Sequence, residues 1–184
     1  MKIRNGFVSN SSSTSFTFCF KGATIDALYD AIHKYSKHFQ LSFDAGWGYE
    51  ESIHSCNAQD VIDAIRGACA RHSEYEWENI TVVPIEDQIE ELRASISEIR
   101  KELKKEDEKP VMRDIYFRHL SDLESHLNKL KSANKKGLTD VAVIGFGDNH
   151  GHISGGDVGY AMDYEGRNIS IEKDDFMVFT EQNR

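Results

Sequence analysis

Apolar and polar residues alternate strictly at Ser15, Phe16, Thr17, Phe18, Cys19 and Phe20, the two-residue period of a half-buried strand with its three phenylalanines on one face. Lys21-Gly22 ends that run. Thr24 then offers an N-cap oxygen, and Ile25, Leu28, Ile32, Tyr35 and Phe39 recur every three to four residues. That spacing predicts a helix of about four turns whose apolar stripe covers the sheet. Residues 40–44 suit a short strand, followed by Ala45-Gly46-Trp47-Gly48-Tyr49, a glycine-punctuated loop whose two large rings are either buried or offered to a ligand. Asn57 is placed to cap a second helix with Val61, Ile62, Ile65, Ala68 and Cys69 as its inner face. Residues 80–83 then read as a strand stopped by Pro84.

The most regular pattern follows. Ile85, Ile89, Leu92, Ile96, Ile99 and Leu103 are separated by 4, 3, 4, 3 and 4 residues, and after a charged break at 106–110 the pattern returns at Tyr116, Leu120, Leu123, Leu127 and Leu130. Charges of both signs fill the intervening positions, as on the flanks of a coiled coil, so an antiparallel helical hairpin is expected over 85–136. The narrow apolar stripe favours a projecting arm over an internal cover for the sheet. Lys135-Lys136-Gly137 closes the second arm with basic residues and a glycine just beyond them.

Beyond the hairpin, Val141-Ala142-Val143-Ile144 is a near-continuous apolar run, expected as a central strand buried on both faces. Residues 158–164, 169–171 and 176–179 are predicted as two or three antiparallel strands, with a turn at 165–168. The expected class is therefore α+β: a mostly antiparallel sheet, two packing helices and an inserted coiled-coil hairpin. Residues 1–84 and 137–184 together form the α+β domain in this scheme, and 85–136 is the insert.

Composition narrows the function classes. A hydrophobic content of 39% is that of a globular protein, and no apolar run approaches the ~18 residues of a membrane span. Ser and Asn follow Lys2 and Arg4 where a secretory leader would have an apolar stretch, so a cytoplasmic location is expected, in the host cytoplasm for a phage-encoded chain. Cys19, Cys56 and Cys69 are widely spaced and odd in number, which suits reduced thiols better than a disulfide framework. His54 beside Cys56 is a weak pair of metal donors on a short loop.

The net charge of −9 is uneven: residues 1–84 carry 7 basic and 10 acidic side chains, 85–136 carry 12 and 12, and 137–184 carry 3 and 9. The acidic last third repels phosphate backbones and disfavours a nucleic-acid partner. A protein partner is expected instead, with self-association through the hairpin as an alternative use of the same seam.

One loop has the composition of a reaction centre. Gly147-Asp148-Asn149-His150-Gly151-His152 runs on through Ile153, Ser154, Gly155 and Gly156 to Asp157, directly after the apolar strand. Asp148, His150, His152 and Asp157 offer oxygen and nitrogen donors suited to a divalent metal such as zinc or manganese, although no resident cofactor is otherwise expected. The GDNHG core resembles the GDxHG motif that opens metallophosphoesterases, and the resemblance implies metal binding by Asp148 and His150. Only 36 residues follow Asp148, and they lack that family's GDxxDR and GNHE motifs. No GxSxG elbow surrounds Ser154, no cysteine-protease signature surrounds Cys56, and no P-loop or GxGxxG fingerprint is present. Catalysis is thus disfavoured, with a small metal-dependent hydrolase or nuclease as the alternative.

The opening MKIRNGFVSNSSSTSF resembles a set of small phage, prophage and bacterial proteins that begin with a basic turn and a GFVSNSSSSSF block; here residues 6–16 read GFVSNSSSTSF. The resemblance implies phage-type ancestry and no particular chemistry. Ser11, Ser12 and Ser13, with neighbouring backbone N–H groups and Lys2 and Arg4, form a candidate anion-binding or modification segment. Apolar Phe7, Val8 and Phe16 flank the run and favour an ordered turn. Together these features lead to the expectation of an accessory protein that binds another macromolecule, as in host takeover or anti-defence, or else of a virion component.

Overall fold

A computed structural model describes residues 13–45, 52–72, 80–104, 110–147, 153–154 and 156–181. In chain order the elements are β1 (Ser13–Phe20), α1 (Ile25–Lys34), a 3-10 turn (Ser36–Phe39), β2 (Leu41–Ala45), β3 (Ser52–Cys56), α2 (Ala58–His72), β4 (Val82–Pro84), α3 (Ile85–Glu102), α4 (Pro110–Lys135), β5 (Asp140–Gly147), β6 (Ile153–Ser154), α5 (Gly156–Tyr164), a second 3-10 turn (Gly166–Asn168), β7 (Ile171–Glu172) and β8 (Phe176–Glu181). The chain is α+β. Its main sheet runs β4-β5-β1-β8-β7, antiparallel throughout, and β6 joins β5 in parallel at Phe146 and Gly147. β2 and β3 form a separate antiparallel pair.

The alternation in β1 sets the layering. Phe16, Phe18 and Phe20 are buried with Leu28 and Ile32 of α1, Val61, Ile62 and Ile65 of α2, and Ala161 and Met162 of α5. Each of the three rings contributes on the order of 2 kcal/mol of burial, which makes β1 the spine of this core. Cys19, on the opposite face, is buried with Val141, Met177 and Phe179 beneath α3 and α4. The sheet is therefore covered on both sides, as the apolar run of β5 requires.

Capping explains several boundaries. The Thr24 hydroxyl accepts from the Ala27 N–H, at 3.4 Å, at the start of α1. The Asn57 side chain accepts from the N–H groups of Gln59 and Asp60, and the Asp60 carboxylate accepts from the Asn57 N–H, a reciprocal cap for α2. At the end of α4, Gly137 has a φ of +79°, and the Leu138 N–H reaches back to the Ala133 carbonyl, so the basic-then-glycine stop is realised. Gly22, with a φ of +124°, turns the chain from β1 into α1; a Cβ there would meet that of Ala27 at 2.7 Å. The buried Asp140 carboxylate accepts from the Gly22 N–H and the Thr139 hydroxyl, which pins that turn to β5.

Four expectations need correction. Residues 158–164 are not a strand but lie in α5: Val158, Ala161 and Met162 stand at i, i+3 and i+4, and the helical spacing wins over the apolar run. Only Ile171–Glu172 of the predicted 169–171 strand pairs, and residues 166–168 form a 3-10 turn. The first helix stops at Lys34 and continues as the 3-10 turn that buries Phe39. His54 and Cys56 lie on β3 rather than on a loop.

The hairpin combines the two arrangements that the sequence set against each other. α3 and α4 link the neighbouring strands β4 and β5, and the Ile85 N–H donates to the Thr139 carbonyl at the base. Near the base, Ile85, Ile89, Leu130 and Ala133 cover the sheet with Val141 and Met177. Farther out the helices pack on each other, with Arg100 and Glu124 paired at 2.6 Å. α4 has 26 residues against 18 in α3, an excess of about 12 Å at 1.5 Å per residue. Val111, Ile115 and Phe117 in its first turns are 71%, 50% and 55% exposed.

Candidate functional site

The two segments with chemical composition, the serine run and the GDNHG loop, enter one end of the sheet. Ser13, the first residue of β1, lies opposite Gly147, the last of β5, and Thr14 lies opposite Phe146. β6 then runs beside Phe146 and Gly147. The chain next turns at Gly156, whose φ is +67°, into α5. Gly147 thus lies one strand spacing, and β6 two strand spacings across β5, from the point where β1 begins.

Of the residues singled out from sequence, Asp148, His150, His152, Ser11 and Ser12 lie outside the described residues, as do Trp47 and Tyr49. Ser13 is the first residue of β1. Asp157 is exposed in the first turn of α5, where a carboxylate complements the helix dipole and offsets the attraction of that terminus for an anion. Among the described residues no three His, Cys, Asp or Glu side chains gather as metal ligands do.

A different group of residues organises this end of the sheet. Asp163, in the last turn of α5, is fully buried. The Thr14 hydroxyl donates to its carboxylate at 2.7 Å and lies 3.2 Å from its carbonyl oxygen. Arg167 sits one helical turn on: its Nη2 is 3.3 Å from the same carboxylate oxygen, and its Nε donates to the Asp163 carbonyl. The guanidinium also lies over the Tyr164 ring, 5.2 Å from its centroid. Thr180 of β8 donates to the Arg167 carbonyl at 3.3 Å. Gly166 fits against Phe16, where a Cβ would come within 2.9 Å of the ring.

This cluster is a clamp. It ties the C-terminal end of α5 and the turn after it to β1 and β8. Asp163 is shielded from any substrate and binds structural donors, so its chemistry is positional. Sequence reasoning passed over it, although two signals were present: an acid inside an otherwise apolar 158–163 stretch, with arginine four residues later, and threonine interrupting the serine run at position 14.

Burial favours the neutral form of all three thiols. Burial pushes Cys19 up to about 12, and burial with the nearby carboxylates of Asp60 and Asp157 pushes Cys56 up to about 12. Cys69 is raised as well, chiefly by burial. All three are free.

No described helix is long and apolar enough to cross a membrane. Comparison with protein-family models, with curated proteins and with solved structures gives no match for this chain.

Proposed function

We propose that this chain is a phage-type accessory protein that acts by binding another protein, with the far end of the α3–α4 hairpin as its contact surface. The carrying observation is the set of exposed apolar side chains at the start of α4, beyond the last residue of α3: Val111 and Ile115 share one face a turn apart, and Phe117 stands exposed on another side of the helix. Apolar side chains clustered on an extended element, away from the core they would otherwise join, mark interaction surfaces.

The test is affinity capture from a bacterial lysate with the intact chain and with Val111→Ser/Ile115→Ser/Phe117→Ser. Partners held by the parent and lost by the variant are the expected result. Equal recovery by both removes the hairpin from the proposal. Deleting 86–133 would confuse the outcome, because it bares Val141, Met177 and Phe179.

A second reading, a small metal-dependent hydrolase using Asp148, His150, His152 and Asp157, draws on the shared entry of the serine run and the 148–152 loop at one sheet end. Elemental analysis of the purified protein discriminates the two. Stoichiometric zinc or manganese that His150→Ala abolishes supports the hydrolase; metal-free protein ends it.

A further inference from the structure

The face at the start of α4 is built to meet itself. Val111, Asp114, Ile115 and Arg118 follow the i, i+3, i+4, i+7 spacing of one helical face, with Phe117 one turn from Asp114. All five are exposed, and neither Asp114 nor Arg118 forms an ion pair among the described residues. Set two such helices antiparallel about a two-fold axis at Tyr116. Asp114 then stands opposite Arg118 of the second copy, a pair that the symmetry makes twice, and Ile115 lies beside Ile115 of the second copy.

Long-range charge selects the same occupant. The hairpin carries 12 basic and 12 acidic residues, whereas the remainder of the chain supplies the whole net charge of −9. Two copies approaching through their bodies carry like net charge, which opposes that approach. Two copies meeting at Tyr116 place their bodies apart: His126, which touches Phe179 of the sheet, is ten residues along α4 from the axis in each copy. At 1.5 Å per residue the two sheet contacts are about 30 Å apart, several times the Debye length of ~8 Å at physiological salt. A strongly basic partner, by contrast, would be drawn to the acidic body and away from this neutral tip.

We propose that the exposed face of α4 bearing Val111, Asp114, Ile115 and Arg118 is a two-fold, antiparallel docking surface for a second copy of this chain, with the axis at the level of Tyr116. This rests on the hairpin being the binding surface and makes its partner a further copy. A contact confined to two turns of one helix is short of a standard interface of about 800 Å² per partner, so the dimer forms with rising concentration.

The experiment is sedimentation velocity on the intact chain over a concentration series, with circular dichroism confirming that each variant keeps its helix content. The parent is expected to move from monomer to dimer. Asp114→Arg or Arg118→Asp alone should weaken dimerisation about tenfold, because each places like charges opposite one another twice, and the double exchange should restore it. A parent that stays monomeric, single exchanges without effect, or a double exchange that fails to restore the dimer each overturns the proposal. A monomeric parent whose lysate partners are still lost with Val111→Ser/Ile115→Ser/Phe117→Ser assigns the face to a different protein, which refutes self-docking and leaves the proposed function standing.

Discussion

Single side chains at the centre of the sheet separate cost from benefit. Thr17 lies on the face of β1 opposite the phenylalanines and is fully buried, and its hydroxyl has no hydrogen-bond partner among the described residues. Thr17→Val keeps the shape and removes the stranded oxygen, so it should raise stability by about 1 kcal/mol, read from the urea midpoint. Loss of stability on that change would show that the hydroxyl is satisfied. Asp163 is the opposite case. Removing it takes from the Thr14 hydroxyl its shorter bond, leaving only the Asp163 carbonyl, and leaves part of the Arg167 fork unpaired, so Asp163→Ala should cost about 2 kcal/mol, while Arg167→Ala, on a more exposed partner, costs less. Equal losses would mean that the ion pair, rather than the buried carboxylate, holds the clamp.

At the scale of elements, the contact between α4 and β8 carries a pH dependence. His126 of α4 packs edge-on against Phe179, with Lys129 over the same ring. Burial, reinforced by the Lys129 charge, pushes His126 down to about 4. In the unfolded chain the same imidazole titrates near 6.5. Below that value the unfolded state takes up a proton that the folded state refuses. The stability contributed by neutral His126 is therefore complete above about pH 6.5 and is lost as pH falls toward 4, a change of up to about 3 kcal/mol. Urea unfolding of the parent and of His126→Leu at pH 7 and pH 4.5 isolates the effect, since the carboxylates titrate in both. A parent whose acid loss matches that of the variant would place His126 in contact with water.

The elements also show which patterns carry structural information by themselves. The β1 alternation, the caps at Thr24 and Asn57 and the glycine stop after α4 are local, and each was legible. The 158–164 segment was not, because a short apolar run fits a strand and a buried helix equally well until its neighbours are known. There α5 is held by Asp163 to Thr14, a contact between residues 149 positions apart.

For the whole molecule, the hairpin is both cover and arm. Its base completes the second core with Cys19, Val141, Met177 and Phe179, and its far end extends beyond that core. A chain lacking residues 86–133 should consequently bind a hydrophobic dye such as ANS in its native state and unfold at a lower temperature than the parent. Unchanged dye binding would mean that the face below the hairpin closes by another route.

By itself the sequence determined the α+β class, the phenylalanine face of β1, the central buried strand and the presence of two helices between β4 and β5. All of these follow from periodicity and capping within a few turns of chain. The tertiary structure alone decided which strands neighbour each other, that the helical pair both covers and projects, and that Thr14, Asp163 and Arg167 form a clamp between β1 and the end of α5. Those outcomes depend on contacts between residues far apart in the chain, whose strength comes from shared burial, and no local pattern encodes which distant face will be available.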